Sequence, residues 1–306
     1  MWCKERDAVV KLRYARLALC NDCFIKYFIK RLTKTVEEFK MFRNTDKIAV
    51  AVSGGKDSTA LVHSLKYAYP DLDITIIHLN LGIGEYSRHS LEVVKELSKT
   101  MDMPLIIYDL KNERGYTIPD LLRTKYKQRI CGACSIIKRS YLTKLAYENG
   151  FNVLATGHNL DDIVEVMLNL FIEGDFQGLI SMKPALEPKH EKQVRKVKPL
   201  VKHHGWEIKH YIKVLSIPHV DMICPLSKGA RSIWRKDILN RWERKDPTIK
   251  RRLFNVFIRK LIPILERNIE PIKLDTCKIC GGPSIGDICS KCKIESEVLA
   301  TIRELR

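Results

Sequence analysis

Residues 53–58 read Ser-Gly-Gly-Lys-Asp-Ser and directly follow the short apolar run 47–52. A short run rich in β-branched residues is typical of a buried parallel strand. Gly54 and Gly55 allow a sharp turn that points amide N–H groups at an anion. The helical pattern that begins at about Asp57 adds the positive end of a helix dipole at the same point. These residues predict a cradle for the phosphates of a nucleotide.

The hexapeptide is not a Walker motif, because that motif needs GxxxxGK followed by Ser or Thr. It resembles the SGGxDS signature of the PP-loop ATP pyrophosphatases. The resemblance implies that the chain binds ATP, adenylates a carbonyl oxygen and releases pyrophosphate. The ATP-binding residues expected here are Ala51, Ser53, Gly54, Gly55, Lys56, Asp57 and Ser58, of which Asp57 is also a catalytic candidate.

Strand-like and helix-like patterns alternate after residue 47. Strands are predicted at 48–52, 74–79, 105–108 and 153–156, and helices at 59–69, 90–100 and 134–149. This alternation predicts an α/β fold with a doubly wound parallel sheet, Rossmann-like in the manner of PP-loop ATPases. Further helical patterns run from Phe24 to Val36 and from Ser232 to about Glu266.

The pattern divides the chain into three parts. Residues 1–42 form a Cys-rich module with a linking helix, and residues 43–268 form the catalytic domain. Residues 269–306 form a second Cys-rich module, and Pro271 lies in the connector that leads into it.

Two other strand ends carry candidate residues, because ligands of open α/β sheets collect at the carboxyl ends of the strands. The backbone around Leu79 is placed to flank an adenine. Gly157 permits close approach of a nucleotide, and Asp161 and Asp162 are placed to hold Mg²⁺ or a reacting hydroxyl. A helix cap explains one of these aspartates but not both.

Ten cysteines in an intracellular chain favour metal binding or catalysis over disulfides. Cys131 and Cys134 precede the helix predicted at 135–149, where thiol pKa values are lowered. The pair suits a redox site or a persulfide. With Cys224 it suits an iron–sulfur cluster that leaves one iron open to an external ligand. Two buried structural thiols and an unrelated Cys224 are the alternative.

The last module contains two CxxC pairs with the spacing of a structural zinc site. Its four ligands would be Cys277, Cys280, Cys289 and Cys292. A site closed by four thiolates has no open position, so no catalysis is assigned to it.

The N-terminal module offers three thiols for a second zinc ion, namely Cys3, Cys20 and Cys23. In the family that the chain resembles, a second ligand stands three residues after the first cysteine; this chain has Arg6 there, and Asp22 is a poor substitute. A metal-free or weakened module is the alternative.

The chain carries 54 Lys and Arg against 36 Asp and Glu, a net charge of +18. Residues 189–213 contain eight basic side chains and residues 228–260 contain twelve, which favours RNA as the partner over a merely solvated basic face. The aromatic residues in these stretches are Trp206, Tyr211, Trp234 and Trp242, for which packing in the core is preferred over stacking on bases. Without an apolar run of membrane length or an apolar signal region, we expect no membrane association and a cytoplasmic location.

Four motifs together resemble the TtuA group of tRNA 2-thiouridine synthetases. They are SGGKDS at 53–58, CGAC at 131–134 with Lys138 after it, GHNLDD at 157–162 and the stretch 224–231. The resemblance covers essentially the whole chain. It implies that Cys131, Cys134 and Cys224 bind a [4Fe-4S] cluster and that Lys138 and Asp162, with Asp161 as a further candidate, serve catalysis.

The resemblance implies an ATP-dependent tRNA uridine 2-sulfurtransferase whose sulfur comes from a ubiquitin-like thiocarboxylate protein or from sulfide. Position 54 of the tRNA is the expected target, because the stretch 224–231 and residues 81–87 resemble the TtuA group more than the enzymes that modify the wobble position. Wobble position 34 is the alternative, because Cys23 stands where TtuA often has His. Another PP-loop ligase and a non-catalytic zinc-bearing RNA-binding protein are the remaining readings. A homodimer is a possible assembly.

Overall fold

The computed structural model describes residues 3, 5–227 and 231–304. Part of the stretch that carries the family resemblance, Lys228 to Ala230, therefore lies outside the described residues.

The N-terminal segment is a hairpin followed by a long helix. Strand β1 (Val10–Leu12) pairs antiparallel with β2 (Leu17–Leu19), and α1 spans Asn21–Glu38. Helix α1 buries Phe24 and Phe28 in the same apolar cluster as the central strands. The module therefore packs directly on the sheet domain.

The central domain contains the parallel sheet and most of the helices. Its elements are β3 (Ile48–Ala51), α2 (Lys56–Ala68), β4 (Ile74–Asn80), α3 (Gly84–Thr100), β5 (Leu105–Asp109), α4 (Leu110–Arg114), α5 (Ile130–Glu148), β6 (Val153–Thr156), α6 (Leu160–Ile172), α7 (Phe176–Ile180), β7 (Ala185–Leu186), β8 (Arg195–Val197), α8 (Gly205–Val214), α9 (Arg231–Lys245), α10 (Ile249–Val256) and α11 (Ile262–Asn268).

The six strands of this sheet lie in the order β5-β4-β3-β6-β8-β7. All neighbouring pairs are parallel except the short edge strand β7, which runs antiparallel to β8. Strand β3 and its neighbours are almost fully buried, as parallel strands covered by helices on both faces require. The predicted doubly wound α/β fold is confirmed.

Helix α2 starts at Lys56, within one residue of the predicted start at about Asp57. Two helices begin earlier than the sequence pattern predicted. Helix α3 starts at Gly84 and α5 at Ile130, so Cys131 and Cys134 lie inside the first turns of α5 and not before it. Ile130 and Ala133 are buried, which extends the core-facing stripe of α5 upstream of the point where the prediction began.

The continuous helix predicted from Ser232 to Glu266 is wrong, because the chain breaks after α9. Pro247 lacks an N–H group, and Asp246 Oδ1 accepts hydrogen bonds from the N–H and hydroxyl of Thr248 at 3.0 and 2.7 Å. A π-helical segment, Phe257–Leu261, then joins α10 to α11.

The C-terminal module contains β9 (Asp275–Thr276), β10 (Pro283–Ser284) and α12 (Ser290–Glu304). Helix α12 buries Ile294 and Val298 against Ile137 and Tyr141 of α5. The last helix is thereby fixed to the catalytic domain.

A buried carboxylate, Glu295, sits at the centre of this contact. It accepts hydrogen bonds from the hydroxyls of Tyr116, at 3.0 Å, and Tyr141, and it pairs with Arg114 at 3.4 Å and Lys291 at 3.2 Å. Burial raises the pKa of Glu295, but the Tyr141 hydroxyl and the Lys291 and Arg114 cations outweigh burial and lower it below 4.5.

Among the described helices, none combines the length and the apolar character needed to cross a bilayer.

Replacing Glu295 with Gln should destabilise the protein by about 1–3 kcal/mol at neutral pH, because the buried Lys291 ammonium and the buried hydroxyls of Tyr116 and Tyr141 lose the charged acceptor that they share. A lowered carboxyl pKa stabilises the fold above pH 4.5, and this contribution is lost as the pH falls through the folded-state value. The difference in Tm from the parent protein should therefore shrink below pH 4.5.

The matched control is Glu297→Gln on the same helix, which removes only the partner of the exposed Lys125 and should change Tm little. Equal Tm values for the Glu295 variant and the parent at pH 7 would contradict the assignment.

Candidate functional site

The site lies at the point of the sheet where the order of successive strands changes direction, next to β3. Strand β3 has β4 on one side and β6 on the other, with Ala51 opposite both Ile77 and Thr156. The carboxyl ends of β3 and β6 therefore open into one crevice, where ligands of such sheets bind. The turns that follow these two strands carry the cradle and the GHNLDD segment.

The turn after β3 has the geometry predicted for a phosphate cradle. Gly54 has φ of +81°, a left-handed conformation that favours glycine. The Ser58 hydroxyl accepts from the Ser53 N–H at 3.2 Å and donates to the Gly55 carbonyl at 2.9 Å. Helix α2 begins at Lys56, so its unpaired N–H groups face the same point.

The two turns touch backbone to backbone at Gly157. A Cβ on this residue would lie 2.9 Å from Asp57 C and from Ser58 N. Any larger residue would push the turns apart. From the sequence we expect Gly157 to let a nucleotide approach closely. In this structure the group that lies close to Gly157 is the backbone of the cradle, at Asp57 and Ser58.

Asp57 is held at the mouth of the crevice by two neighbours. Its carboxylate accepts from Lys56 Nζ at 2.6 Å and from the side-chain amide of Asn159 at 2.9 Å. Sequence reasoning did not single out Asn159. The available signal was an Asn directly before a helix and three residues before an acid, which is the pattern of a capping box.

Asp162 is the other half of that capping box. Its Oδ2 accepts from the backbone N–H of Asn159 at 3.2 Å, while Asn159 Oδ1 accepts from the backbone N–H of Asp162 at 3.0 Å. The remaining oxygen accepts from Lys236 of α9. Burial lowers the pKa of Lys236, but the neighbouring Asp162 outweighs burial and raises it.

Asp161 points away from the crevice into a buried ionic cluster. It accepts from the Gly205 N–H and from Lys250 Nζ, both at 2.9 Å. Lys250 also donates to Asn240 Oδ1 at 2.6 Å and to Glu243 Oε2 at 2.8 Å. A helix cap therefore accounts for Asp162 alone, as the sequence argument held, and Asp161 has separate structural partners.

Asp161, His204 and Glu243 also bring ligand atoms within 4.8 Å of one another. This is not the arrangement of a metal site, because the Lys250 ammonium already bridges Asp161 and Glu243. The Lys250 side chain is only 1% exposed. Its three N–H groups have three oxygen acceptors, which is the condition for a buried charge.

The segment that carries Cys224 is attached to the cradle. The Val220 N–H donates to the Gly54 carbonyl at 2.8 Å, and Val220 forms a parallel bridge with Gly55. Beyond it, the Leu226 carbonyl accepts from Cys131 Sγ at 3.6 Å. The structure thus brings Cys224 to the CxxC pair, which the sequence could not establish.

The pKa shifts of Cys134 and Tyr86 include contributions from Cys224, which agrees with its position near the CxxC pair. The lowered thiol pKa expected near the start of this helix is wrong for Cys134: burial raises its pKa, the Lys138 cation opposes the rise, and the Cys224 and Cys131 thiols add to it. Burial likewise raises the pKa of Tyr86, with contributions from Cys224 and Cys134. One cluster of thiols, one lysine and one phenol therefore lies beside the nucleotide crevice.

These three thiols are spaced more widely than the other two cysteine groups. Within the described part of the chain, the N-terminal and C-terminal groups each bring their sulfur atoms within 4.8 Å, and Cys131, Cys134 and Cys224 do not form such a group. A single ion needs close sulfurs, whereas a multi-iron cluster is larger.

The C-terminal group has the dimensions of a tetrahedral zinc site. The sulfurs of Cys280 and Cys289 lie 3.8 Å apart, and four ligands about 2.3 Å from one ion are separated by about 3.8 Å. Burial raises the pKa of Cys277, but backbone N–H groups, first that of Cys289, outweigh it and bring the pKa to about 6.

The N-terminal group is tetrahedral in spacing but has three sulfurs. Cys3 and Cys20 lie 3.7 Å apart, and Cys23 completes the group. Arg6, which replaces the expected fourth ligand, forms an ion pair with Asp22. These two residues therefore neutralise each other.

The tryptophans of the basic stretches are exposed, so the preference for core packing is wrong for three of the four aromatic residues. Tyr211 is fully buried, while Trp206, Trp234 and Trp242 are exposed. Two lysines of the first stretch face inward. Burial lowers the pKa of Lys196 and brings that of Lys198 to about 8.

Comparison with known proteins gives matches along the whole chain. The PP-loop domain matches residues 26–241, and the N-terminal LIM domain of the 2-thiouridine synthetase TtuA matches residues 3–25. The tRNA-5-methyluridine(54) 2-sulfurtransferase of Pyrococcus horikoshii is 36% identical over 96% of this chain and 93% of its own length. Its counterpart in Thermotoga maritima is 34% identical over 96% and 95%.

A solved structure has the same fold. The U34-tRNA thiolase NcsA from Methanococcus maripaludis, with its [4Fe-4S] cluster, superposes with a TM-score of 0.79 at 26% identity. The match covers 94% of this chain and 93% of that one. With its matched domains and its relatives over nearly full length, the chain belongs to the PP-loop family, in the TtuA group of tRNA 2-sulfurtransferases.

Proposed function

We propose that this protein is an ATP-dependent tRNA uridine 2-sulfurtransferase. The observation that carries the proposal is the junction at Gly54 and Val220, which joins the nucleotide cradle to the segment bearing Cys224. Two chemistries, activation by ATP and transfer of sulfur, thereby share one crevice. A PP-loop ligase of amides would have no use for three thiols there.

In the first step, the uridine O2 attacks the α-phosphorus of ATP. The bond to pyrophosphate breaks, and pyrophosphate leaves with the electron pair. Lys56 and the N-terminus of α2 neutralise the charge that develops on the phosphates. Asn159 orients the Asp57 carboxylate at the same point. The cradle supplies positioning and electrostatic stabilisation, which is what phosphoryl transfer requires.

In the second step, a sulfide-level sulfur attacks C2 of the activated base. The C2–O bond breaks, and AMP leaves with its electrons. A [4Fe-4S] cluster held by Cys131, Cys134 and Cys224 would leave one iron for an external sulfur ligand. Lys138 stabilises anionic sulfur beside Cys134. The sulfur donor is a ubiquitin-like thiocarboxylate protein or sulfide.

Of the two neighbouring aspartates, Asp162 is assigned to the reaction and Asp161 to positioning. Asp162 contacts Lys236 and the backbone of Asn159, the residue that holds Asp57, whereas Asp161 is tied to Lys250 and Gly205. Mg²⁺ would enter with ATP and be held by the phosphates together with Asp57 and Asp162. Adenine would lie against the backbone at Leu79.

The other assignments extend to the metal modules and the assembly. Zn²⁺ is assigned to the C-terminal four cysteines, and a second, three-thiolate site to Cys3, Cys20 and Cys23. These sites carry no step of the reaction. A homodimer is retained as the assembly to be tested by sedimentation.

Position 54 of tRNA is the assigned target, because the relatives with 34 to 36% identity carry that position in their names. Nucleoside mapping by mass spectrometry of tRNA from a deletion strain tests it. We expect 2-thiolation to disappear at position 54 and to persist at 34. Loss at 34 alone would transfer the same chemistry to the wobble base, and loss at neither would refute the proposed function.

Asp57→Asn should reduce AMP formation by about 100-fold or more, because the carboxylate is lost from the phosphate site while its shape is kept. Release of AMP and pyrophosphate in the presence of tRNA is the measurement. Asp73→Asn, an exposed position before β4, is the control and should be unaffected. Undiminished AMP formation by the Asp57 variant would remove the cradle assignment.

Cys224→Ser should lose bound iron, the absorbance of a cluster and thiolation together while ATP binding remains. Iron and acid-labile sulfide are measured on anaerobically purified protein. Ser227→Ala serves as the neighbouring control, since it removes only a hydroxyl that donates to the Cys224 carbonyl at 2.7 Å. A full complement of iron in the Cys224 variant would exclude the three-cysteine cluster.

A further inference from the structure

Helix α9 presents two faces of different character. Its inner face packs on α6 and carries Leu239, which is buried, and Lys236, which reaches Asp162. Its outer face carries Trp234, Ile238 and Trp242, with exposed fractions of 56%, 52% and 47%. We call these three residues the tryptophan stripe.

The tryptophan stripe is not part of the face through which α9 packs on the protein core. Its members are four residues apart, so they line one side of the helix, opposite the side that is already packed. Isolated exposed apolar residues are normal on proteins, but a row with two tryptophans marks a binding surface. Residue spacing along a helix puts the two indoles about 12 Å apart along its axis.

The charges around the stripe select its partner. Helix α9 contains six basic and two acidic residues. Arg244 and Lys245 are exposed beside the stripe, and within the described residues neither forms an ion pair with a carboxylate. A second copy docked through this face would bring two positively charged helices together. A polyanion with exposed apolar rings has the complementary chemistry.

We propose that the tryptophan stripe docks the tRNA, with Trp234 and Trp242 stacking on unpaired bases and Arg244 and Lys245 contacting phosphates. Aromatic stacking on unpaired bases is the usual way in which proteins hold single-stranded regions of RNA. The distance between the indoles requires two separate bases, as in a folded loop. This proposal rests on the proposed function, because it takes tRNA as the substrate.

The position of the stripe connects binding to the reaction. Helix α9 begins seven residues after Cys224, and its inner face touches Asp162. Its diameter is about 10–12 Å with side chains. RNA held on the outer face is therefore one helix away from the crevice into which the target base must be turned.

The test measures how tightly the Trp234→Ala and Trp242→Ala variants bind unmodified tRNA. The Kd is determined at several salt concentrations. Each variant should bind about 5- to 150-fold more weakly, the scale of one lost stacking contact. The slope of log affinity against log salt should not change, because no phosphate contact is lost. Arg244→Ala and Lys245→Ala should each reduce that slope by about 0.7–0.9.

Tyr67→Ala is the control, because Tyr67 is an exposed aromatic residue on α2 and lies outside both basic stretches. It should bind tRNA like the parent protein. Trp234→Phe and Trp242→Phe should restore most of the affinity, since a phenyl ring still stacks. ATP binding and Tm of all variants should match those of the parent.

Unchanged tRNA affinity in folded Trp234 and Trp242 variants would overturn the stripe and leave the proposed function standing. A parent protein that binds no tRNA would overturn both. Dissociation of a dimer in these variants, with tRNA affinity unchanged, would assign the stripe to a contact between subunits and overturn the proposal as well.

Discussion

The catalytic side of this protein depends on one buried ammonium group. Lys250 on α10 holds Asp161 of α6 and Asn240 and Glu243 of α9 at distances of 2.6 to 2.9 Å. Burial raises the pKa of Glu243, but the hydrogen bonds from His204 and Lys250 outweigh it and lower it. Three helices thus converge on one fully satisfied charge, and removing any acceptor would leave one N–H of the buried ammonium without a partner.

This cluster explains why the two adjacent aspartates differ. Successive residues on a helix point about 100° apart, so one neighbour faces the cluster when the other faces the crevice. Asp161 anchors α6 to α10, and the anchored helix holds Asp162 and Asn159 in the capping box beside Asp57. The ion pair between Lys250 and Asp161, which lies outside the crevice, therefore helps to position the residues that line it.

The sequence predicted features whose cause is local. The cradle follows from two glycines between a strand and a helix, and the α/β fold from the alternation of patterns; the fold and the family are both confirmed. The CxxC pairs also indicated metal binding, because the spacing of their ligands is local in the sequence. Helix starts were less certain, because Ile130 and Ala133 are recognised as core residues only once the sheet they face is known.

Features that depend on distant contacts could not be read from the sequence. The attachment of Val220 to Gly54, the burial of Glu295 and the partners of Asp161 each join segments far apart in the chain. The exposure of Trp234 and Trp242 had the same origin, since an aromatic side chain is as compatible with a core as with a surface. Only the packing of α9 through Leu239 decides which face points outward.

The contact at Gly157 has a consequence for the energetics of ligand binding. Because the two turns meet with no room for a methyl group, they behave as one stiff unit and not as two loops that close on a ligand. Such a site loses little conformational entropy when it is filled. Nucleotide affinity would then be set mainly by the fixed amides and charges, and the slow motions of turnover would belong to the large RNA and not to the walls of the crevice.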